Sequence, residues 1–496
     1  MAIKTRWLLG LIVFSVVARL LLTFILPFAD TTEARYADIA RMMVASNDWV
    51  TPWFLPGEPF WGKPPLSFWF QALSFKLLGI NEAAGRLPST LMSLLTAWLV
   101  YLGTQFLSNP AKPAAQKNAA AHKLDPLALL AVLIYCSMAL PFVIAGAVMT
   151  DSYLVFGTTL TLVSLIAVLN GYSQPWRWLF FMGLAVGLLS KGPLTWVLCG
   201  LPVFLWVLVS KNWRLLWQAL PWIRGTLFMF ALAAPWYVMA EIKTPGFLQY
   251  FLVGEHFNRF VVSDWSGDLY GDAHEEALGA IWLYMLQASF PWGIVAIVSA
   301  LLVRKIPWLQ SKPATEALNG SAWLMVFAVF TPAIFFTLSS NILWTYALPA
   351  LPFLAILCAF FLRSWPAALG ARGLTAIGLI VPATALIAGA AVLFNPALLS
   401  TEKYLLQDVY SVANPQTSVL FVERLPFSAR YYSRGQARLL PTEELDDYLS
   451  TCPDAFVAIR NRRVDLLSRV QGRYKQLSAS QDYQVYQVNG CGHRQI

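Results

Sequence analysis

Charge is scarce in this sequence. Asp, Glu, Lys and Arg make up 12% of its 496 residues and hydrophobic residues 58%, where an ordinary soluble domain carries about 25% charge. So few charges cannot keep this much apolar surface in water. A soluble enzyme is excluded, and a polytopic α-helical membrane protein is expected. Histidine is scarcer still, with four residues, and the five cysteines have no metal-ligand spacing. A zinc module or a disulfide framework is therefore excluded. Cys136, Cys199 and Cys358 lie in apolar runs and read as packing residues. Cys452 and Cys491 lie near the C-terminus, where pairing in an oxidising compartment and two free thiols both stay open. There is no internal repeat, and biased composition is confined to Asn109–Ala121. Acids are outnumbered by bases, 26 to 35, for a net charge of +9. Those bases sit in short loops between apolar runs, where they act as orientation signals and not as a nucleic-acid surface. No secretory signal is expected, because the run from Trp7 to Pro27 is longer than a usual signal core and lacks a small-residue cleavage site.

What the chain has in abundance is apolar runs. Lys4 and Arg6 precede the first, near 7–27, so the N-terminus is expected in the cytoplasm and the polar loop 28–85 outside it. Further spans are expected near 87–107, 126–147, 153–170, 178–190, 193–210, 225–240, 279–302, 321–338, 342–362 and 373–394. The basic loops around Lys112 to Lys123, Arg177, Lys211 to Arg224, Arg304 to Lys312 and Arg363 to Arg372 then all fall on one side. That gives about 11–13 membrane helices. From about residue 399 the pattern changes to that of a soluble α/β domain. Ser418–Glu423 and Ala455–Arg460 read as buried strands, Gln484–Val488 as an alternating edge strand, and Thr442–Leu449 and Val464–Arg469 as helices. The expected division is thus a membrane domain, 1–398, with outer loops 28–85 and 241–278, and an outer α/β domain, 399–496.

The polar groups gather in four outer segments. Loop 28–65 holds Asp30, Glu33, Arg35, Tyr36, Asp38, Asp48 and Lys63; Asp151 precedes a span; Lys191 interrupts apolar sequence; Glu255, His256 and Arg259 are followed by Asp264, Asp268, Asp272 and His274. An ionisable group at membrane depth costs roughly +2.5 to +3.5 kcal/mol on insertion scales, so it normally marks a cavity or a site. Each has an ordinary reading as well. Lys191 can snorkel to the interface, Asp30 and Asp151 can cap helices, and 31–45 can be an interfacial amphipathic helix. Lys63-Pro64-Pro65 is rigid and extended, which suits a plain helix entry or a phosphate holder. Carboxylates with Lys63, Lys191, Arg35 and Arg259 on one membrane face suit a lipid-linked phosphate substrate. The contrasting reading is a transporter or flippase of lipid-linked sugars, which would set its polar groups at the bilayer midplane.

The ordered set Glu33–Arg41, Asn47–Pro52, Lys63–Trp69, Ala84–Ser89, Thr150-Asp151, Leu189–Gly192, Glu255–Phe260 and Trp344–Pro349 resembles GT-C glycosyltransferases of the protein-mannosyltransferase-like group, close to the bacterial aminoarabinose transferases. Arg424–Arg434 resembles the outer C-terminal domain of bacterial members. The resemblance implies an inverting transferase that moves a sugar from polyprenyl (undecaprenyl) phosphate to lipid A, another glycan or a protein. Its setting would be the periplasmic face of the inner membrane, as a monomer. By matching motif positions it implies a catalytic first-loop acid with Asp151 near the same centre. It assigns Arg35, Tyr36, Lys63, Lys191, Arg259 and Tyr346 to the donor and its lipid phosphate. Two positions depart from the pattern. Thr32 replaces the acid before Glu33, so Glu33 and Asp30 compete for the base role. The one cofactor implied is a divalent metal at His256, yet Gly62 stands where those enzymes carry a glutamate ligand.

Overall fold

The structure is a computed structural model that describes residues 5–108, 124–262, 265–271, 276–302, 320–339, 341–363, 370–414, 416–451 and 454–489. Lys4, the bases of 109–123 and 303–319, Asp264, Asp272, His274, Cys452 and Cys491 lie outside the described residues.

Among the described residues, six helices are long and apolar enough to cross a membrane: Thr5–Ile25, Glu82–Ser108, Asp151–Leu169, Trp222–Lys243, Trp344–Leu362 and Gly370–Phe394. Shorter apolar helices cover Pro126–Ser137, Leu194–Ser210 and Ser321–Phe336. Two expected spans are broken. The run 126–147 stops at Met138, which turns extended before a short helix Ala139–Ile144. The run 279–302 becomes Ala280–Ala288 and Trp292–Val298, bent by 106° around Pro291. Apolar composition cannot register such breaks, because hydropathy averages over the residue that leaves the helix.

The described residues form two compact units. The first takes Asp48–Phe70 and most of the chain from Arg86 to Ala385; the second takes Leu22–Asn47, Gln71–Gly85 and everything from Leu386.

The first unit is built on the Asp151–Leu169 helix, buried over nearly all its length. It packs antiparallel against Pro175–Lys191 through glycines. A Cβ on Gly157 would lie 2.8 Å from the Gly183 carbonyl, and one on Gly183 would lie 2.6 Å from the Gly157 carbonyl. Without a hydrophobic drive between helices in lipid, such close backbone approach is what holds them. The helices have 19 and 17 residues and a short turn between them, so the start of one meets the end of the other. Asp151 and Lys191 are thereby brought side by side. In loop 48–65 a two-residue turn joins strands β1 (Trp53–Leu55) and β2 (Glu58–Pro59). Asp48 ends the loop's first turn, accepting from Val50 N, Thr51 N and Trp53 Nε1.

The second unit contains a five-stranded sheet ordered β4-β3-β5-β7-β6, with β3 Val419–Val422, β4 Arg438–Leu440, β5 Asp454–Arg460, β6 Lys475–Ala479 and β7 Tyr483–Asn489. Strands β4, β3 and β5 run parallel, while β7 pairs antiparallel with β5 and β6. Alternation along β5 sends Phe456 and Ala458 to one core and Val457 and Ile459 to the other, so both faces are covered. The expected strands 418–423 and 455–460 are present. The expected edge strand 484–488 is interior instead: its polar positions Gln484 and Gln487 fall between buried neighbours, and β6 closes the sheet beyond it. The helix Thr32–Ser46 is likewise no wet interfacial helix, because Ala34, Tyr36, Ala37, Asp38, Ile39, Ala40 and Met43 are all buried within this unit.

Candidate functional site

Within the first unit, Lys63, Lys191, Glu255, His256, Arg259 and Tyr346 line one cavity of about 190 Å³. Local sequence explains how each arrives there. Lys191 is the last residue of its helix, and Gly192 follows at φ +68°, a conformation that L side chains avoid. A Cβ at 192 would also meet the Phe251 ring at 2.7 Å, so glycine is required both for the turn and for the neighbour. Tyr346 stands on the 3-10 turn Trp344–Ala350 and stacks on Phe336 at 4.5 Å. Glu255 and His256 belong to a π-helix, Gln249–Asn258, a rare geometry met mostly at functional sites. Its buried Phe251 stacks at 5.4 Å on buried Phe247, two residues before the helix starts, and anchors it, leaving Glu255 and Arg259 on the cavity side.

The charges pair closely. Lys63 Nζ donates to Glu255, whose two oxygens also accept from Arg259 Nη1, each at 3.0 Å. Arg259 reaches Asp268 at 3.4 Å. Lys191 Nζ donates to Asp151 Oδ1 at 2.7 Å and stands 5.4 Å over the Tyr346 ring. Burial pulls the Glu255 carboxyl up, but Lys63 and Arg259 outweigh it and hold it below the usual carboxylate range. Asp151 is not a helix cap: Thr150 holds that position, and the Asp151 carboxylate serves Lys191. Lys191 does not snorkel away either, since it is 9% exposed and paired. Three cations, each paired with a carboxylate, thus meet at one cavity, so the groups that could face an anion there are already held in place.

Glu255 is the residue that motif spacing did not single out. Its signal was the i,i+4 relation to Arg259, which by itself reads as an ordinary helix-surface pair.

His256 does not offer itself to a metal. Nδ1 lies 2.7 Å from the Phe251 carbonyl and Nε2 2.9 Å from the Lys191 carbonyl, so both ring nitrogens face backbone oxygens. Burial lowers its pKa. Among the described residues no three His, Cys, Asp or Glu side chains converge as a ligand group. A neutral imidazole donates to one of these two carbonyls, so His256 stands against the end of the Lys191 helix, and among the described residues no further ligand joins it.

The remaining candidates, Asp30, Glu33, Arg35 and Tyr36, lie in the second unit. Asp30 does not cap the helix after it. Its Oδ1 accepts from Ser428 N at 2.9 Å and its Oδ2 accepts from the Ser428 hydroxyl. Burial raises its pKa. Glu33 Oε2 accepts weakly from Ala29 N at 3.4 Å. The Arg35 guanidinium is 5.2 Å from the Tyr36 ring centre and 5.6 Å from that of Phe427. Asp38, 1% exposed, receives both Arg41 and Arg430, at 2.7 and 3.0 Å, and so clamps this helix to Phe427–Tyr432.

Comparison with known proteins bears on both fold and family. Similar solved structures include ArnT from Cupriavidus metallidurans bound to undecaprenyl phosphate (TM-score 0.75, 16% identity, 98% of each chain covered). The same protein in its apo state gives 0.72 and 17%, over 97% of this chain and 98% of that one. The chain therefore has the fold of that structure, a helical architecture with a small C-terminal sheet domain. Among curated relatives, the undecaprenyl phosphate-alpha-4-amino-4-deoxy-L-arabinose arabinosyl transferase 2 of Pseudomonas fluorescens is 29% identical over 364 residues, 71% of this chain and 59% of the relative. The arabinosyl transferase of that type from Pseudomonas aeruginosa is 28% identical over 414 residues, 78% of this chain and 66% of the relative. The chain thus spans less than two thirds of the length of these relatives. Residues 3–251, half of the chain, match the sequence model for dolichyl-phosphate-mannose-protein mannosyltransferase. That stretch includes both cavity lysines and the acid paired to Lys191, and it shows that the chain belongs to the dolichyl-phosphate-mannose-protein mannosyltransferase family.

Proposed function

We propose that this protein is a glycosyltransferase that moves a sugar from a polyprenyl phosphate, undecaprenyl phosphate in bacteria, to an envelope acceptor such as lipid A, another glycan or a protein. The observation that carries the reading is the convergence of Lys63, Lys191 and Arg259 on one cavity. In this reading the acceptor oxygen attacks the anomeric carbon from the face opposite the phosphate. The bond between that carbon and the phosphate oxygen breaks, and polyprenyl phosphate leaves with the electron pair. The three cations stabilise the charge that grows on the departing phosphate. A phosphate acceptor is already anionic; a hydroxyl acceptor gives its proton to a carboxylate. Asp151 holds Lys191 in place. The reading places the protein in the bacterial inner membrane as a monomer, its N-terminus cytoplasmic and its C-terminal domain periplasmic.

The transporter reading is less well supported. Asp151 opens a 19-residue helix that is long enough to cross a membrane, so its pair with Lys191 lies at one end of that span and not midway along it. Sugar transfer by purified protein in detergent, with no sealed membrane, is the expected result; no transfer from any polyprenyl-phosphate sugar would overturn the glycosyltransferase reading. Chelator should leave that turnover unchanged, since His256 is committed to backbone carbonyls. Activity lost to chelator and restored by a divalent ion would show that assignment wrong.

The two first-loop acids can be separated in the same assay. We assign the base role to Glu33, because both oxygens of Asp30 are taken by Ser428. Glu33→Gln should lower turnover by about 100-fold, the lower range for lost general acid-base catalysis. Asp30→Asn should change it by less than about 10-fold and act mainly on stability. The reverse order would transfer the role to Asp30.

A further inference from the structure

One side chain fastens the backbone that leads into Lys63. The Tyr270 hydroxyl donates to the Pro59 carbonyl at 2.7 Å and accepts from the Trp61 N–H at 2.9 Å. Both bonds go to main-chain groups, so they fix where the chain runs and not merely which side chains touch. The Tyr270 ring packs on Phe60 at 4.6 Å and on Phe54 at 5.1 Å, which orients the hydroxyl. Residue 62 must be small for this to happen. A Cβ there would come within 3.0 Å of the Phe60 ring and 3.3 Å of the Tyr270 ring. Beyond it, Pro64 and Pro65 stiffen the far side, so Lys63 sits on a short stretch held at both ends.

We propose that Tyr270 is the positioning residue for Lys63: by pinning the backbone of residues 59–61 it sets where the ammonium group stands in the cavity. The proposal rests on the phosphate-holding role of Lys63 proposed above. Tyr270 acts through the lysine and touches no reacting atom. His256 makes the corresponding backbone contact for the other lysine, at the Lys191 carbonyl. Tyr270 and His256 thus meet the main chain just before one lysine and at the other. Glycine at 62 also leaves the space in which the Phe60 and Tyr270 rings pack.

The test uses the full chain purified in detergent, with undecaprenyl phosphate as the probe. Tyr270→Phe keeps the ring and removes both hydrogen bonds. It should weaken binding about 10-fold, as expected for a displaced charge-bearing loop. In a Lys63→Ala background the same change should alter binding less than about 2-fold, because nothing remains to be positioned. Wild-type affinity in Tyr270→Phe, or an equal loss with and without Lys63, would overturn the proposal. Hydrogen exchange gives an arm independent of the ligand. The Trp61 amide should be protected in the wild type and exchange faster in Tyr270→Phe, with the amides of β5 unchanged; an unprotected Trp61 amide in the wild type overturns the tie itself. If the wild type binds no undecaprenyl phosphate, the role of Lys63 falls, and the exchange arm still decides whether Tyr270 holds the loop.

Discussion

Lys63→Ala should abolish transfer from a polyprenyl-phosphate sugar, lowering kcat by about 10²–10³-fold or more, the range for loss of one preorganised group that stabilises developing negative charge. The reason lies in what surrounds the lysine. Lys63 and Arg259 share Glu255, and the carboxylate is 7% exposed. Glu255 and Asp268 together balance the two cations. When a phosphate arrives, its oxygens take up part of the charge that the lysine otherwise gives to Glu255. Removing the lysine leaves a buried carboxylate still held by Arg259, so the stability cost stays below the about 3–5 kcal/mol of a buried charge left unpaired. Part of the loss could then reflect a loosened cavity, so the double variant Lys63→Ala/Glu255→Gln is the control. It removes the carboxylate that has lost one of its two cations, and should recover thermal stability without recovering turnover. Full activity in Lys63→Ala would remove the phosphate role altogether.

The second large effect is on stability. Glu402→Gln should make the sheet-containing unit markedly more resistant to unfolding at pH 9 and change it little at pH 4. Glu402 is 1% exposed and lies among Asp30, Ser428 and Asp482; its own N–H donates to the Ser428 hydroxyl at 3.0 Å. Burial pushes its carboxyl up from 4.5 to about 8, and the neighbouring Asp30 and Asp482 push the same way. The folded state therefore holds a proton that the unfolded chain gives up. That contribution is fully present below about pH 4.5 and is lost as pH rises through about 8. The shift corresponds to a loss on the order of 4 kcal/mol by pH 9. Glutamine keeps the shape and has no proton to lose. Proteolysis of the full chain within residues 400–489, followed from pH 5 to 9, should accelerate with pH in the wild type and stay nearly flat in the variant. Equal pH dependence in both would show that Glu402 is not the titrating group. Because Asp30 faces this cluster and not solvent, the same experiment bears on the first-loop acids. What sets Asp30 apart from Glu33 is that both of its oxygens accept from Ser428.

Much of this molecule was legible in short stretches of sequence. Scarcity of charge set its class, and Ser190-Lys191-Gly192-Pro193 announced a lysine at a helix end, since glycine at that position needs a left-handed turn. The strands at 419–422 and 454–460 were readable because β-branched and aromatic residues alternate over two buried faces. The Asp151–Lys191 pair was nearly readable: two antiparallel helices of similar length bring the start of the first to the end of the second.

Other features depended on partners far along the chain. Glu255 meets Lys63 across 192 positions, and nothing near either residue encodes the other. Asp30 looked like a helix cap from its neighbours, yet Ser428, 398 residues away, takes both oxygens. His256 carried a metal expectation until two carbonyls were found against its ring nitrogens. Tyr270 belongs to no motif at all, and its bonds run to backbone groups that every residue possesses. Sequence alone determined the class of protein, the turns and the chemical types at the site, because these follow from hydropathy and local backbone preference. Tertiary structure decided which carboxylate balances which cation and which acid is already committed, because those choices are made by packing between distant segments.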